Sequence, residues 1–212
     1  MKNAKSFQDI KYTEKENKKK IIIDAAERVF ATKPFNQVTM RDIAKEAGIS
    51  AGAIYRYFPD QQALFVEAFL LGAEDIINEM EIIIATSKNP LKDTIYTFLS
   101  YLNKHDPYFR MMTHFMLDAN LSPDLINKLN EVERRVLDQF TKLFASRTNA
   151  RLLAHSLFAS LNGVMITFHN YPGRSKKEVR YHMNRLGETY TNYFPDNAAS
   201  SLAASTSCNA QF

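Results

Sequence analysis

Three hydroxyl side chains, Ser50, Tyr55 and Tyr57, fall close together, with small residues Ala51, Gly52 and Ala53 between them and one cation, Arg56. Hydroxyl and guanidinium groups donate hydrogen bonds to anionic oxygens, and small side chains let a backbone approach a surface closely. Gly52 in a helix interior costs roughly 1 kcal/mol relative to alanine, so the missing side chain is expected to be useful. Such a set suits recognition of phosphate and base edges. No comparable set suits bond-making. There is no glycine-rich phosphate loop, no G-x-S-x-G, no H-E-x-x-H and no cysteine pair. His105, His114, His155, His169 and His182 are not spaced as metal-binding i, i+4 pairs. The expectation is no enzyme, no metal and no cofactor.

The elements that must position this set read as helices. A helical period starts at Lys18 and places Ile22, Ile23, Ala26, Val29 and Phe30 on one face, and Pro34 stops it. Thr39 with Asp42 reads as a capping box opening a short helix that ends at Gly48. Ser50 caps a third helix through Phe58, closed by Pro59, with Ile49, Ile54 and Phe58 turned inward. A long helix runs from Asp60 to about Thr86, and Asn89-Pro90, Asp106-Pro107 and Ser122-Pro123 open three more. Asn149 opens a helix to about His169, and Ser175 with Glu178 opens the last, to about Phe194. The expected fold is all-α, with nine helices and no strand. Residues 1–17 read as a basic flexible arm and 196–212 as a disordered tail.

Two short helices joined by a glycine turn, with a third before them, make a helix-turn-helix over residues 39–58. In such a unit the second helix enters the DNA major groove. A short α-hairpin with a glycine turn also occurs in helical proteins that bind no DNA. Charge fits the DNA reading without deciding it: residues 1–60 hold 12 Lys and Arg against 8 Asp and Glu, and the other 152 residues balance at 15 each. A solvated, lysine-rich arm would show the same excess.

The run IIDAAERVFATKPFNQVTMRDIAKEAGISAGAIYRYFPDQQALF, from Ile22 to Phe65, resembles the N-terminal domain of the TetR family of bacterial transcriptional regulators. The matching residues include Ala25-Ala26, Phe30, Phe35, Thr39, Ile43-Ala44, Ala47-Gly48, Ser50, Tyr55-x-Tyr57-Phe58 and Leu64-Phe65, in gap-free register. The resemblance implies a helix-turn-helix domain over 18–64 and a larger ligand-binding and dimerisation domain over 65–195. It implies that Thr39, Ser50, Tyr55 and Tyr57 hold the DNA backbone, and that Ala51, Gly52, Ala53 and Arg56 lie in or at the groove. Gln61 stands where the family usually has a phosphate-binding lysine. The loss of that ion contact lowers the salt slope of binding by about one, and Lys11 to Lys20 are placed to compensate.

The same resemblance implies a homodimer built from the last two helices, reading a palindromic operator. Leu153, Leu157, Leu161, Val164 and Phe168 form one stripe; Val179, Met183, Leu186, Tyr190 and Tyr193 form the second. Each stripe also fits a core within one subunit. The segment HDPYFRMMTHFML, residues 105–117, is rich in methionine and aromatic residues, which suits an adaptable apolar pocket as well as it suits core. The expected wall for a small apolar or aromatic effector is Tyr96, Phe109, Met112, Phe115, Met116 and Phe158, with His114 and Asn162 as polar contacts. In the family, effector binding moves the fourth helix and changes the spacing of the reading heads.

Only one cysteine, Cys208, is present, which excludes an internal disulfide framework and fits a reducing compartment. No apolar run reaches the roughly 20 residues of a membrane span. These readings predict a soluble, cytoplasmic transcriptional regulator, a repressor in the family's usual mode. The rival is a helical adaptor of the same fold that acts through protein contacts without DNA.

Overall fold

The computed structural model describes residues 7–118 and 121–194, without the side chains at 7, 10 and 115–118. The nine helices are α1 (Phe7–Thr32), α2 (Met40–Ala47), α3 (Ala51–Ile54), α4 (Gln61–Thr86), α5 (Pro90–Lys104), α6 (Asp106–Asp118), α7 (Pro123–Lys142), α8 (Ala150–Phe168) and α9 (Lys176–Tyr193). A 3-10 turn, Phe35–Gln37, follows α1. There is no strand among the described residues, so the chain is all-α as expected. No described helix is long and apolar enough to cross a membrane. The expected tail at 196–212 and the first six residues of the expected arm lie outside the described residues.

The local start and stop signals act as their chemistry dictates. Thr39 accepts from the Asp42 amide while the Asp42 carboxylate accepts from the Thr39 amide, closing the capping box of α2. Gly48 ends α2 at φ 68°, in the left-handed region where a side chain is strained. Ser175 and Glu178 close a second box at α9. Asn149 precedes α8 but makes no side-chain cap bond.

Three expectations need correction. Helix α1 begins at Phe7, not Lys18, so residues 7–17 of the expected arm are helical. No glycine or proline interrupts Phe7–Thr32, and Glu16 with Lys19 adds an i, i+3 ion pair at 3.9 Å. Polarity here marks an exposed helix rather than coil. Helix α3 ends at Ile54, and residues 55–57 form turns. Pro59 disfavours helical backbone at Phe58, which shortens the element. Ile49, expected inside, is 38 % exposed.

The chain packs as two compact units. One contains 7–78 with 100–118 and 121–134, the other 79–99 with 135–194; the expected boundary at 64/65 does not coincide with this division. In the first unit α1 packs on α2 and α6, around Ile22, Ala26, Phe30, Ile43, Ile54 and Phe58. Phe65 meets Phe30 edge-on at 4.6 Å and Phe35 at 4.5 Å. Gly72 is required where α4 meets α6, because an added Cβ would lie 2.6 Å from the Tyr108 ring. In the second unit α8 packs on α9 around Leu157, Leu161, Met165, Val179 and Met183.

Candidate nucleic-acid interface

The capping box of α2 fixes the entry to the helix-turn-helix and the left-handed Gly48 fixes its turn. The Thr39 hydroxyl donates to Asp42 at 2.8 Å, and Lys33 Nζ lies 3.0 Å from the same carboxylate. The Lys33 and Thr39 bonds hold the Asp42 carboxyl down to about 2. Thr39 therefore has a structural task that competes with binding an outside phosphate. Ser50 caps α3 by accepting from the Ala53 amide at 3.3 Å, a bond that leaves its own proton to donate.

Beyond the cap, α3 presents a low surface edged by hydrogen-bonding tips. Gly52 is exposed, Ala51 and Ala53 are half-buried, and no atom outside the helix lies within 4 Å of a Cβ built on Gly52. Tyr55 is 54 % exposed, Arg56 is exposed and Tyr57 is half-buried. Ile54 and Phe58, at 0 % and 2 % exposure, anchor the segment to its unit, so the polar residues between them are turned out. Such a face can donate hydrogen bonds to anionic oxygens and admit a second surface at Gly52. Gln61 is placed differently: its Nε2 donates to the Phe35 carbonyl at 2.8 Å and ties α4 to the 3-10 turn. Its amide nitrogen is thus engaged within the domain.

The residues expected around an effector fall in both units. In the first, Phe109 and Met112 are each 5 % exposed, and His114 lies 4.6 Å from the Phe35 ring and 5.5 Å from Phe65. His114 thus belongs to an aromatic cluster with Phe35 and Phe65. The side chains of Phe115 and Met116 lie outside the described residues. In the second, Phe98, Phe140 and Phe158 form a three-ring cluster with centroids 5.2 to 5.8 Å apart. Asn162 donates to the Phe158 carbonyl at 2.9 Å, while its Oδ1 and the Thr94 hydroxyl are buried without a partner. Tyr96 is half-buried beneath the Lys92 ammonium, 5.7 Å from its ring centre.

The stripes assigned to a subunit interface lie largely inside the protomer. Leu157 and Leu161 are 0 % exposed, Val164, Val179 and Met183 are buried, and Leu153, Leu186 and Tyr190 are half-buried. Periodicity located an apolar face but not what covers it. The opposite face of α8 carries Leu152, His155, Ala159, Gly163 and Ile166, all exposed and three or four residues apart. Sequence reasoning missed this face because alanine and glycine carry little hydropathy. It also missed the exposed Arg41, in the first turn of α2, although its place beside Thr39 is readable. Among the described residues no group of three or more His, Cys, Asp or Glu is arranged to hold a metal ion.

Residues 22–68 match the family described as "Bacterial regulatory proteins, tetR family". An uncharacterized HTH-type transcriptional regulator of Bacillus subtilis, YuxN, is 47 % identical over 49 residues, 23 % of this chain and 17 % of that protein. The fatty acid metabolism regulator protein of the same organism is 33 % identical over 121 residues, 55 % of this chain and 61 % of that protein. The chain thus spans less than two thirds of the length of these curated relatives. Among solved structures, the transcriptional regulator FadR from Bacillus subtilis, in complex with stearoyl-CoA, superposes with a TM-score of 0.66. It shares 24 % identity, with 79 % of this chain and 96 % of that one covered. These relatives are transcriptional regulators rather than enzymes. The capped α2, the left-handed Gly48 and the small-faced α3 all fall inside the matched segment; residues 22–68 match the TetR-family regulatory domain, and the chain has the fold of solved TetR-family regulators.

Proposed function

We propose that the chain is a ligand-responsive, homodimeric transcriptional repressor that reads a palindromic operator through α2 and α3. The observation that carries this reading is the outward face of α3 and the turn after it. Ser50, Tyr55 and Tyr57 offer hydroxyl donors around the exposed Gly52, while Ile54 and Phe58 anchor the segment from behind. Phosphate contacts from Ser50, Tyr55 and Tyr57 set register, and Ala51, Gly52, Ala53 and Arg56 approach the base edges. The Thr39 hydroxyl reaches phosphate only by exchanging the bond it donates to Asp42 for one to a phosphate oxygen. Gln61 contributes by holding the α4 start against Phe35.

Two reading heads need a two-fold pair. The outward face of α8, Leu152, Ala159, Gly163 and Ile166, is the surface on which a second copy packs, with Ala159 and Gly163 allowing close approach. The effector is a ligand with a long apolar portion. The Phe98–Phe140–Phe158 cluster supplies apolar lining, and the unpaired Asn162 Oδ1 and Thr94 hydroxyl supply polar contacts. The stearoyl-CoA held by the structurally similar regulator makes acyl thioesters the first class to assay.

The test is Tyr55→Ala with Tyr57→Ala, assayed by gel shift on a duplex that the wild-type protein selects from a random pool. Affinity is expected to fall at least tenfold, with dimerisation and thermal stability little changed. Unchanged affinity removes α3 and its following turn from the interface. A wild-type protein that selects no duplex supports the adaptor reading instead.

A further inference from the structure

Helix α1 starts fifteen residues before the matched regulatory domain, at Phe7 against residue 22. At 1.5 Å per residue this is a helical rod about 22 Å long. Among its described side chains before Ile22 none is buried. Its charges are not mixed at random. Lys11, Lys15 and Lys19 stand at i, i+4 and i+8, one above another, about 6 Å apart along the axis. At 100° per residue, Asp9, Glu14 and Glu16 each point about 100° or more away from the midline of that ladder. Lys18 and the 68 % exposed Tyr12 flank it within about 60°. Lys20 lies on the far side with Glu16, and Lys19 keeps its ion pair with Glu16 at 3.9 Å, but no acid stands within the ladder itself.

The ladder is also continuous with the candidate interface. Lys19, its innermost member, lines a groove of about 410 Å³ together with Tyr57, Phe58 and Asp60. Tyr57 is one of the hydroxyls at the end of the reading segment. The same groove also carries Glu67 and Asp124, so it is the ladder running outward from it along α1, and not the groove itself, that matches a polyanion extending past the half-site.

We propose that the N-terminal half of α1 is a second DNA-contacting element, whose Lys11–Lys15–Lys19 ladder binds backbone phosphates flanking the half-site read by α3. This rests on the DNA-binding reading above and deepens it. The element carries no base specificity; it supplies affinity and salt dependence, and it replaces the ion contact that the neutral Gln61 cannot make.

The experiment uses full-length protein with Lys11→Gln, Lys15→Gln and Lys19→Gln together, and a control with Lys88→Gln, Lys176→Gln and Lys177→Gln. Both are titrated against the duplex selected by the wild type, in a long form with native flanks and in a form trimmed to the half-sites, over a range of salt. Because the proposed dimer carries two ladders, the slope of log affinity against log salt is expected to fall by about 5 for the ladder variant on the long duplex, at roughly 0.9 per phosphate contact. On the trimmed duplex the ladder variant and wild type should converge, and the control should track wild type on both. An unchanged slope on the long duplex overturns the proposal, while wild-type binding and its loss in the tyrosine variant leave the α3 reading standing. An equal fall for ladder and control variants reduces the effect to general charge and also overturns it. No selected duplex at all overturns both readings.

Discussion

Glu27 shows how one side chain couples the domain to pH. It sits half-buried on α1, and burial is the main reason its carboxyl is raised from 4.5 to about 7. Repulsion from Asp24 and Asp75 adds to the shift, and Arg28 opposes it while also bonding Glu46 at 2.6 Å. A carboxyl that holds its proton more tightly in the folded state loses stability as pH rises. Below about 4.5 both states are protonated and nothing is lost; between about 4.5 and 7 the unfolded chain ionises first; above about 7 the loss is complete. Glu27→Gln is therefore expected to raise Tm relative to wild type at pH 8 and to leave it unchanged at pH 4.5. Calorimetry at the two values checks this, and an equal shift at both would mean that charge is not the cause. Asp42 works in the opposite sense, since its bonds to Lys33 and Thr39 favour the charged form.

At the scale of elements, α3 is marginal by itself. Four residues form less than two turns, and glycine is the second of them. Its geometry is imposed by the Ser50 cap before it and by Ile54 and Phe58, which are buried beneath it. Gly52→Ala separates stability from recognition. Helix propensity favours alanine by about 1 kcal/mol, and the added methyl meets nothing within 4 Å in the free protein. The variant is expected to be as stable as wild type or up to about 1 kcal/mol more stable by urea denaturation. Its affinity for the selected duplex should nevertheless fall, because the methyl occupies the space of close approach. A variant both more stable and equally tight-binding would remove the functional reason for this glycine. Element boundaries follow the same logic: Pro59 cuts α3 short, and the uninterrupted helix formers before Ile22 carry α1 back to Phe7.

For the molecule as a whole, the decisive feature is that α8 has one buried apolar face and a second, exposed face that is apolar apart from His155. One, with Leu157, Leu161 and Met165 at 0 % exposure, belongs to its own unit. The other leaves Leu152 at 65 % and Ile166 at 51 % exposed, with Ala159 and Gly163 between them. The dimer proposed above would cover this mostly apolar face, which also carries His155. Ala159→Glu with Ile166→Glu is expected to convert a dimer to monomers in sedimentation equilibrium at micromolar concentration, with little change in helical content. Operator affinity should drop with it, because each half-site alone contributes only part of the binding energy. A persistent dimer would move the interface elsewhere.

The fold class, the helix count and the small, exposed residues of α3 were legible in the residues themselves. Capping boxes, a left-handed glycine and proline stops act within a few residues, so Thr39, Gly48 and Ser175 needed no distant information to be read. Where an apolar stripe is buried, and against what, is a long-range matter. Hydropathy marked the Leu157–Leu161 stripe and the Met112–His114 segment alike, but only packing turned the first into a subunit's own core and seated His114 among phenylalanines. It likewise tied one N–H of the Gln61 amide to the Phe35 carbonyl, 26 residues away in the chain, a bond that no local signal foretells.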